Sequence, residues 1–257
     1  INGAILDTEK SYIIYITGRG GIGKTRLVKH VLTHSPKLES EPLAASDVVD
    51  LYHTSSRTVE GLMERIQAVL PAPFDRYQEK QDMLRERYAR GQPVPSDERQ
   101  ALQDAFFADL GSITDRQRVV LVLDTVEKLF QQEDLAADTL NIVEEQPDVL
   151  KWLVEVFLPR VHNIVLILSG RPYVANLGAM LEKKSGENQK TLSLNLRGLS
   201  EEETQAYFDA VIAIAQASDD TRDRRTAETI QRLDQNRRQI IFHCLRGTDD
   251  PSSIPPI

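Results

Sequence analysis

Apolar positions along this chain fall into two patterns. Tyr12–Ile16, the stretch Arg118-Val-Val-Leu-Val-Leu-Asp124 and Ile164–Leu168 are unbroken apolar runs. Runs without alternation read as strands buried on both faces. Between them, apolar residues recur every three or four positions, as in Leu27, Val28, Val31 and Leu32, or Leu102, Phe106, Phe107 and Leu110. That spacing predicts helices with one buried stripe. The pattern predicts five strands, at 11–17, 47–52, 118–124, 163–169 and 191–196. It predicts helices from near 23 to 33 and over 58–70, 74–90, 96–110, 148–158, 200–217 and 226–245. Ser35-Pro36, Pro71-Ala72-Pro73 and Pro159 mark helix ends. Ser200 and Glu203 have capping-box spacing. Ile1–Lys10 is an entry segment without an assigned element, and 247–257 is a Pro/Ser-rich tail.

Strands alternating with helices imply an α/β fold: a mostly parallel five-stranded sheet covered on both faces. From about residue 200 onward only helices are expected. The expected domains are therefore 1–199 and a helical subdomain at 200–257.

Composition narrows the class. The chain has 257 residues, 40% of them hydrophobic, enough for one large α/β domain and a smaller appendage. Cys244 is the single cysteine, so no internal disulfide forms, and a reducing cytoplasm is the expected setting. No apolar run reaches membrane-spanning length. The formal net charge of −8 argues against broad binding to nucleic acid, which is not expected as a partner. INGAILDTEK lacks a methionine and a signal-peptide pattern, so the expectation is a chain that begins inside a longer protein or whose true start is not shown.

The candidate chemistry centres on Gly18-Arg19-Gly20-Gly21-Ile22-Gly23-Lys24-Thr25, which fits G-x-x-x-x-G-K-[ST] at every fixed position. A strand delivers this loop and a helix follows it, the context that a phosphate-binding loop needs. Glycines let the main chain approach an anion closely. The helix start then turns unpaired N–H groups and its dipole toward the same anion. Lys24 supplies a cation for the β- and γ-phosphates, and Thr25 a hydroxyl for Mg²⁺. Gly18 to Arg26 are the expected nucleotide contacts. The ordinary alternative is a Gly-rich strand-to-helix turn.

Asp124 ends a buried strand, where ligands of open α/β sheets bind, and is the expected second Mg²⁺ residue. A strand-terminal Asp can instead cap the next helix. Glu127, three residues on, is the candidate base for the attacking water; otherwise it is a first-turn surface glutamate. Strand four ends Ser169-Gly170-Arg171, where Arg171 can reach a γ-phosphate; otherwise it is an exposed loop arginine. Lys24, Asp124, Glu127 and Arg171 are the expected catalytic set. Trp152 sits on an apolar stripe and is expected in the core. His53, His162 and His243 show no metal spacing with Cys244. Arginines 222 to 238 are diluted by aspartates and read as a solvated face.

Taken in order, the loop at 18–25, LVLDTVEKLF at 121–130, FLPRV at 157–161, ILSGRP at 167–172 and LRGLSEEETQAYF at 196–208 resemble the STAND-class P-loop NTPases, the signal-transduction ATPases related to NB-ARC, NACHT and AAA+ modules. The resemblance covers about residues 11–210 and implies the three-layer P-loop fold with sheet order 5-1-4-3-2. It implies that Asp124 matches the Walker B aspartate, Glu127 the acid that follows it, and Arg171 the sensor arginine. It further implies ATP/ADP exchange with Mg²⁺, control by sensor and effector domains outside this chain, and an ATP-dependent homo-oligomer. The family's Gly-Arg motif before strand one is not found in INGAILDTEK, which leaves the adenine contacts unassigned. Arg246-Gly-Thr-Asp-Asp-Pro251 is a distorted echo of the family's Gly-x-Pro motif, and no winged helix follows it, so a truncated lid is expected. No guanine-specificity N-K-x-D pattern occurs, so ATP is expected over GTP. The expected function is a slow ATPase switch. An AAA+-like motor acting on protein or DNA is the alternative, and a small-molecule kinase fits poorly.

Overall fold

A computed structural model describes residues 1–33, 43–130, 149–171, 181, 188–198, 200–217, 225 and 228. The chain divides into two compact units, one comprising 1–17 and 23–195, the other 18–22 and 196–257. In the first, helix α1 (Asn2–Leu6) leads into strand β1 (Ser11–Gly18), and helix α2 is Lys24–Thr33. Two short strands follow, β2 (Leu43–Ala44) and β3 (Val49–Asp50), and then helices α3 (Val59–Val69), α4 (Asp75–Ala89) and α5 (Ser96–Thr114). Strand β4 is Val119–Asp124, β5 is Ile164–Gly170 and β6 is Gln189–Leu196. Helix α6 (Val149–Trp152) runs through a π-helical turn (Leu153–Phe157) into α7 (Leu158–Arg160). In the second unit, helix α8 spans Glu201–Ala217. Apart from Glu228, which is helical, the expected helix at 226–245 lies outside the described residues, as do the break at Ser35-Pro36 and the tail at 247–257.

The strands lie in the order β2-β4-β5-β1-β6, with β3 also paired to β4. With β2 and β3 taken as the ends of one interrupted strand, this is the expected 5-1-4-3-2. The pairings β1–β5, β2–β4, β3–β4 and β4–β5 are all parallel. Strand two differs from the expected continuous 47–52: Ser46 and Asp47 form a bend between two dipeptides. The Ser46 N–H and hydroxyl both reach the Val69 carbonyl, and the Asp47 carboxylate takes the Val48 N–H. These bonds, one within the bend and two to the end of α3, take the place of ladder bonds.

Register assigns the two faces of the sheet. Val119, Leu121 and Leu123 align with Ile164, Leu166 and Leu168, and all six join the main core with α3, α5 and the 149–160 helix. An aromatic chain runs through that core, with Phe74 stacked on Phe106, Phe106 edge-on to Phe107, and Phe107 against Trp152 and Phe157. Trp152 is buried as expected. On α4, Tyr77 and Leu84 are buried while Met83 and Tyr88 are exposed. The opposite sheet face carries Val120, Val122 and Asp124 beside Val165, Ile167 and Ser169, and α2 packs against β4 and β5.

Pro159 does not stop the 148–158 helix. The Leu158 N–H instead bonds to the Leu153 carbonyl, a five-residue step. The wider turn makes room for the proline ring, which has no N–H for the carbonyl four residues back.

Arg118 anchors the entry segment at the other end of β4. Its guanidinium donates to the Ala4 carbonyl (2.6 Å), the Lys10 carbonyl (2.8 Å) and Asn163 Oδ1 (3.1 Å), and burial lowers its pKa.

Candidate functional site

The site residues lie at the C-terminal ends of β3, β4 and β5 and at the start of α2. Strand β4 is apolar until Asp124, whose side chain is almost wholly buried. Thr25, in the first turn of α2, donates through Oγ1 to Asp124 Oδ2 at 2.6 Å. Asp124 Oδ1 accepts the Thr125 N–H at 3.0 Å. Thr125 has φ +63°, in the left-handed region, and its Oγ1 donates to Asp50 Oδ1 at 2.9 Å. Ser169 is the β5 partner of Asp124 in register, so the two share a face. The Ser169 hydroxyl is fully buried and has no hydrogen-bond partner.

Glu127 lies in the short 3-10 turn Val126–Phe130 that follows β4. Its Oε2 accepts the Arg171 N–H at 3.1 Å, and its Oε1 lies 3.4 Å from Arg171 Nε. Gly170 makes that approach possible, because a Cβ there would stand 2.6 Å from Val126 Cγ2 and 3.0 Å from Glu127 Oε2. The Tyr15 hydroxyl donates to the Arg171 carbonyl at 3.4 Å. Burial, and then the Glu127 charge, push the Tyr15 phenol up to about 12. Lys24 is held below its ordinary pKa, chiefly by burial and also by Arg171, while Glu127 and Asp124 pull it back up.

The loop residues 18–22 belong to the second unit. There the Ile22 N–H donates to the Arg19 carbonyl at 3.4 Å. Gly18 has no room for a side chain: a Cβ would lie 2.9 Å from Ile22 Cγ2 and from the Leu196 carbonyl oxygen. Gly21 and Gly23 take φ of +79° and +95°, conformations that glycine alone adopts easily. Arg26 is exposed on α2.

A family model described as AAA ATPase domain matches residues 6–167. The chain belongs to the AAA ATPase domain family. The match spans the loop, β4 and most of β5. No curated protein matches the chain. Among solved structures, the chain is similar to Drosophila ORC bound to DNA, at 15% identity and a TM-score of 0.47, over 82% of this chain and 44% of that one. It is similar to the Aeropyrum pernix ORC2 protein in ADPNP-ADP complexes, at 16% identity and a TM-score of 0.46, over 81% of this chain and 47% of that one. The chain spans about half the length of these proteins.

For an AAA ATPase domain the donor set fits Mg²⁺. Thr25 Oγ1 and Asp124 Oδ2 form a hard oxygen pair at 2.6 Å. Among the described residues no cluster of three or more His, Cys, Asp or Glu could hold a metal, so none of them forms a closed cage around this pair. Mg²⁺ suits such a sparse site, since it keeps water and phosphate oxygens as ligands. Among the described residues no helix is long and apolar enough to cross a membrane.

Sequence reasoning missed two residues that the fold brings to the site, Asp50 and Thr125. A signal for Asp50 was present. The rule that picks out Asp124, an acid ending an apolar strand, applies equally to Val48-Val49-Asp50.

Proposed function

We propose that this chain is the ATP-binding switch domain of a signal-transducing NTPase of the STAND type, one that hydrolyses ATP slowly. The observation that carries the reading is the direct contact between Glu127 and Arg171 beside the Thr25–Asp124 pair. The residue suited to orient water and the residue suited to read a γ-phosphate hold each other. A γ-phosphate would rearrange them, so the nucleotide state would change local structure.

In this reading the 18–25 loop wraps the phosphates and Lys24 places its charge on the β- and γ-phosphates. Thr25 and Asp124 hold Mg²⁺, which when bound neutralises phosphate charge. Glu127 orients the attacking water. Arg171 distinguishes ATP from ADP through a charge-assisted bond. Sensor and effector regions outside this chain, and assembly into a homo-oligomer, complete the switch.

The test is titration with a fluorescent ATP analogue. Lys24→Ala should abolish tight binding while leaving the protein folded. Arg171→Ala should weaken ATP much more than ADP. Unchanged ATP affinity in folded Lys24→Ala would sink the site assignment.

The AAA ATPase domain family also accommodates a motor that turns ATP over on DNA or protein. Sedimentation with ADP and with a non-hydrolysable ATP analogue, together with turnover in the presence of DNA, separates the two. A ring with polymer-stimulated, sustained turnover would replace the switch by the motor. Slow turnover that DNA and protein leave unstimulated, with no ring formed by this chain alone, supports the switch, whose homo-oligomer needs the regions outside this chain.

A further inference from the structure

We propose that Asp50 is a positioning residue for the metal-holding carboxylate, and that it acts through Thr125. The inference rests on the nucleotide reading above. Strand β3 ends at Asp50, which pairs in register with Asp124. The chain then leaves β4 through Thr125 at φ +63°, a strained conformation for a β-branched residue. Two bonds hold Thr125 there. Its hydroxyl donates to Asp50 Oδ1 at 2.9 Å, and its N–H donates to Asp124 Oδ1 at 3.0 Å. Asp50 is itself fixed by the Tyr52 N–H, which reaches the same Oδ1 at 2.9 Å.

The consequence falls on Asp124. With Oδ1 engaged by Thr125, Oδ2 is the oxygen turned to Thr25 Oγ1 at 2.6 Å. A carboxylate without that restraint could turn its plane and carry both oxygens away from Thr25. Asp50 therefore selects the Asp124 rotamer by holding the residue that grips it. Thr25, Asp50, Asp124 and Thr125 also line one cavity of about 420 Å³, so the whole relay borders a single space beside the metal pair. What Asp50 contributes is an acceptor atom. An asparagine at this position keeps that atom and loses only the charge.

The experiment uses the full chain. Affinity for a fluorescent ATP analogue is measured across a Mg²⁺ titration and in EDTA. Asp50→Ala and Thr125→Val should each raise the half-saturating Mg²⁺ about tenfold, the usual loss when a metal ligand's outer partner is removed. Asp50→Asn should stay within about twofold of the wild type, because its side-chain carbonyl accepts the same two bonds. The Asp50→Ala/Thr125→Val double variant should be no worse than the poorer single one, since both cut the same link. Affinity in EDTA should be equal in all variants, which also confirms that they are folded.

Asp50→Asn as poor as Asp50→Ala would overturn the proposal, because the charge would then act on the ion directly. An unchanged Mg²⁺ requirement, additive losses, or an equal loss in EDTA would overturn it as well. A wild-type chain that binds no nucleotide, or binds it without help from Mg²⁺, would bring down the nucleotide reading itself and this inference with it.

Discussion

Gly170 closes β5 at a point where a methyl group has no space. A Cβ would lie 2.6 Å from Val126 Cγ2 and 3.0 Å from Glu127 Oε2. Gly170→Ala should therefore cost about 1–3 kcal/mol by overpacking and should also displace Glu127. Chemical denaturation and ATP turnover measured on the same preparation should both fall. Lys24 gives the opposite result for stability. Burial depresses its pKa, so the charged form is disfavoured in the folded state. Lys24→Met should lose nucleotide binding, yet without nucleotide it should unfold at the same or a higher temperature than wild type. The sign of the pH dependence follows. Between the depressed folded value and 10.5 the unfolded chain binds more protons at this site, so wild-type stability rises with pH and the gap to Lys24→Met narrows there. The placement of Lys24 and Thr25 at a helix start and of Asp124 at a strand end was legible in the sequence, because the Gly-rich pattern and the apolar run before Asp124 mark those positions. Thr125 was not legible, since its part depends on a backbone angle and a neighbouring strand that no local pattern encodes.

Helix α3 shows why element boundaries can be read more readily than the packing of their residues. Thr58 caps it, with Oγ1 accepting the Gly61 N–H at 3.1 Å. The helix was expected over 58–70 and occupies Val59–Val69. Thr58→Ala should destabilise by about 1 kcal/mol, measured by urea denaturation. Inside a helix, Gly→Ala normally stabilises. At Gly61 the sign reverses, because a Cβ would lie 1.7 Å from the Ser55 carbonyl oxygen. Gly61→Ala should be the more damaging of the two changes. On α8 the expected capping box is formed: the Ser200 N–H donates to Glu203 Oε2 at 2.7 Å, and the Glu203 N–H to Ser200 Oγ at 3.1 Å. These bonds hold the Glu203 carboxyl below its ordinary range. Its contribution is complete above 4.5 and is lost as pH falls through the depressed folded value. Glu203→Gln should remove that part of the acid sensitivity of α8, read by circular dichroism. The bend at Ser46-Asp47 and the π turn at Leu153–Phe157 were illegible for a common reason. A side chain or a proline ring redirects backbone bonds there, and hydrophobic periodicity does not register it.

Across the whole molecule, β4 joins a structural end to a chemical end. Arg118, before the strand, ties α1 and the Lys10 carbonyl to the sheet, while Asp124 lies about 20 Å away along the strand. Arg118→Met would leave those buried carbonyls unpaired and should cost about 3 kcal/mol without changing nucleotide affinity. Trp152, the only tryptophan, reports the loss: it is buried against Phe107 and Phe157, with Nε1 donating to Gln103 Oε1 at 2.9 Å. Its fluorescence should follow the unfolding of the first unit. The sheet order was legible through family resemblance, not through periodicity, since strand patterns do not say which strand lies beside which. The pair at the end of β5 carries a further consequence for nucleotide capture. Arg171 already has an anion, so under the proposed reading a γ-phosphate reaching it would enter a competition, and part of the ATP binding energy would go into displacing Glu127. Arg171 is exposed while Glu127 is largely covered, and a pair with one partner in solvent is worth at most about 1 kcal/mol. Glu127→Gln, which withdraws the competitor, should thus tighten ATP by about two- to fivefold and leave ADP unaffected, even as hydrolysis declines. Equal tightening for ADP would mean that the rival of Glu127 is not the γ-phosphate.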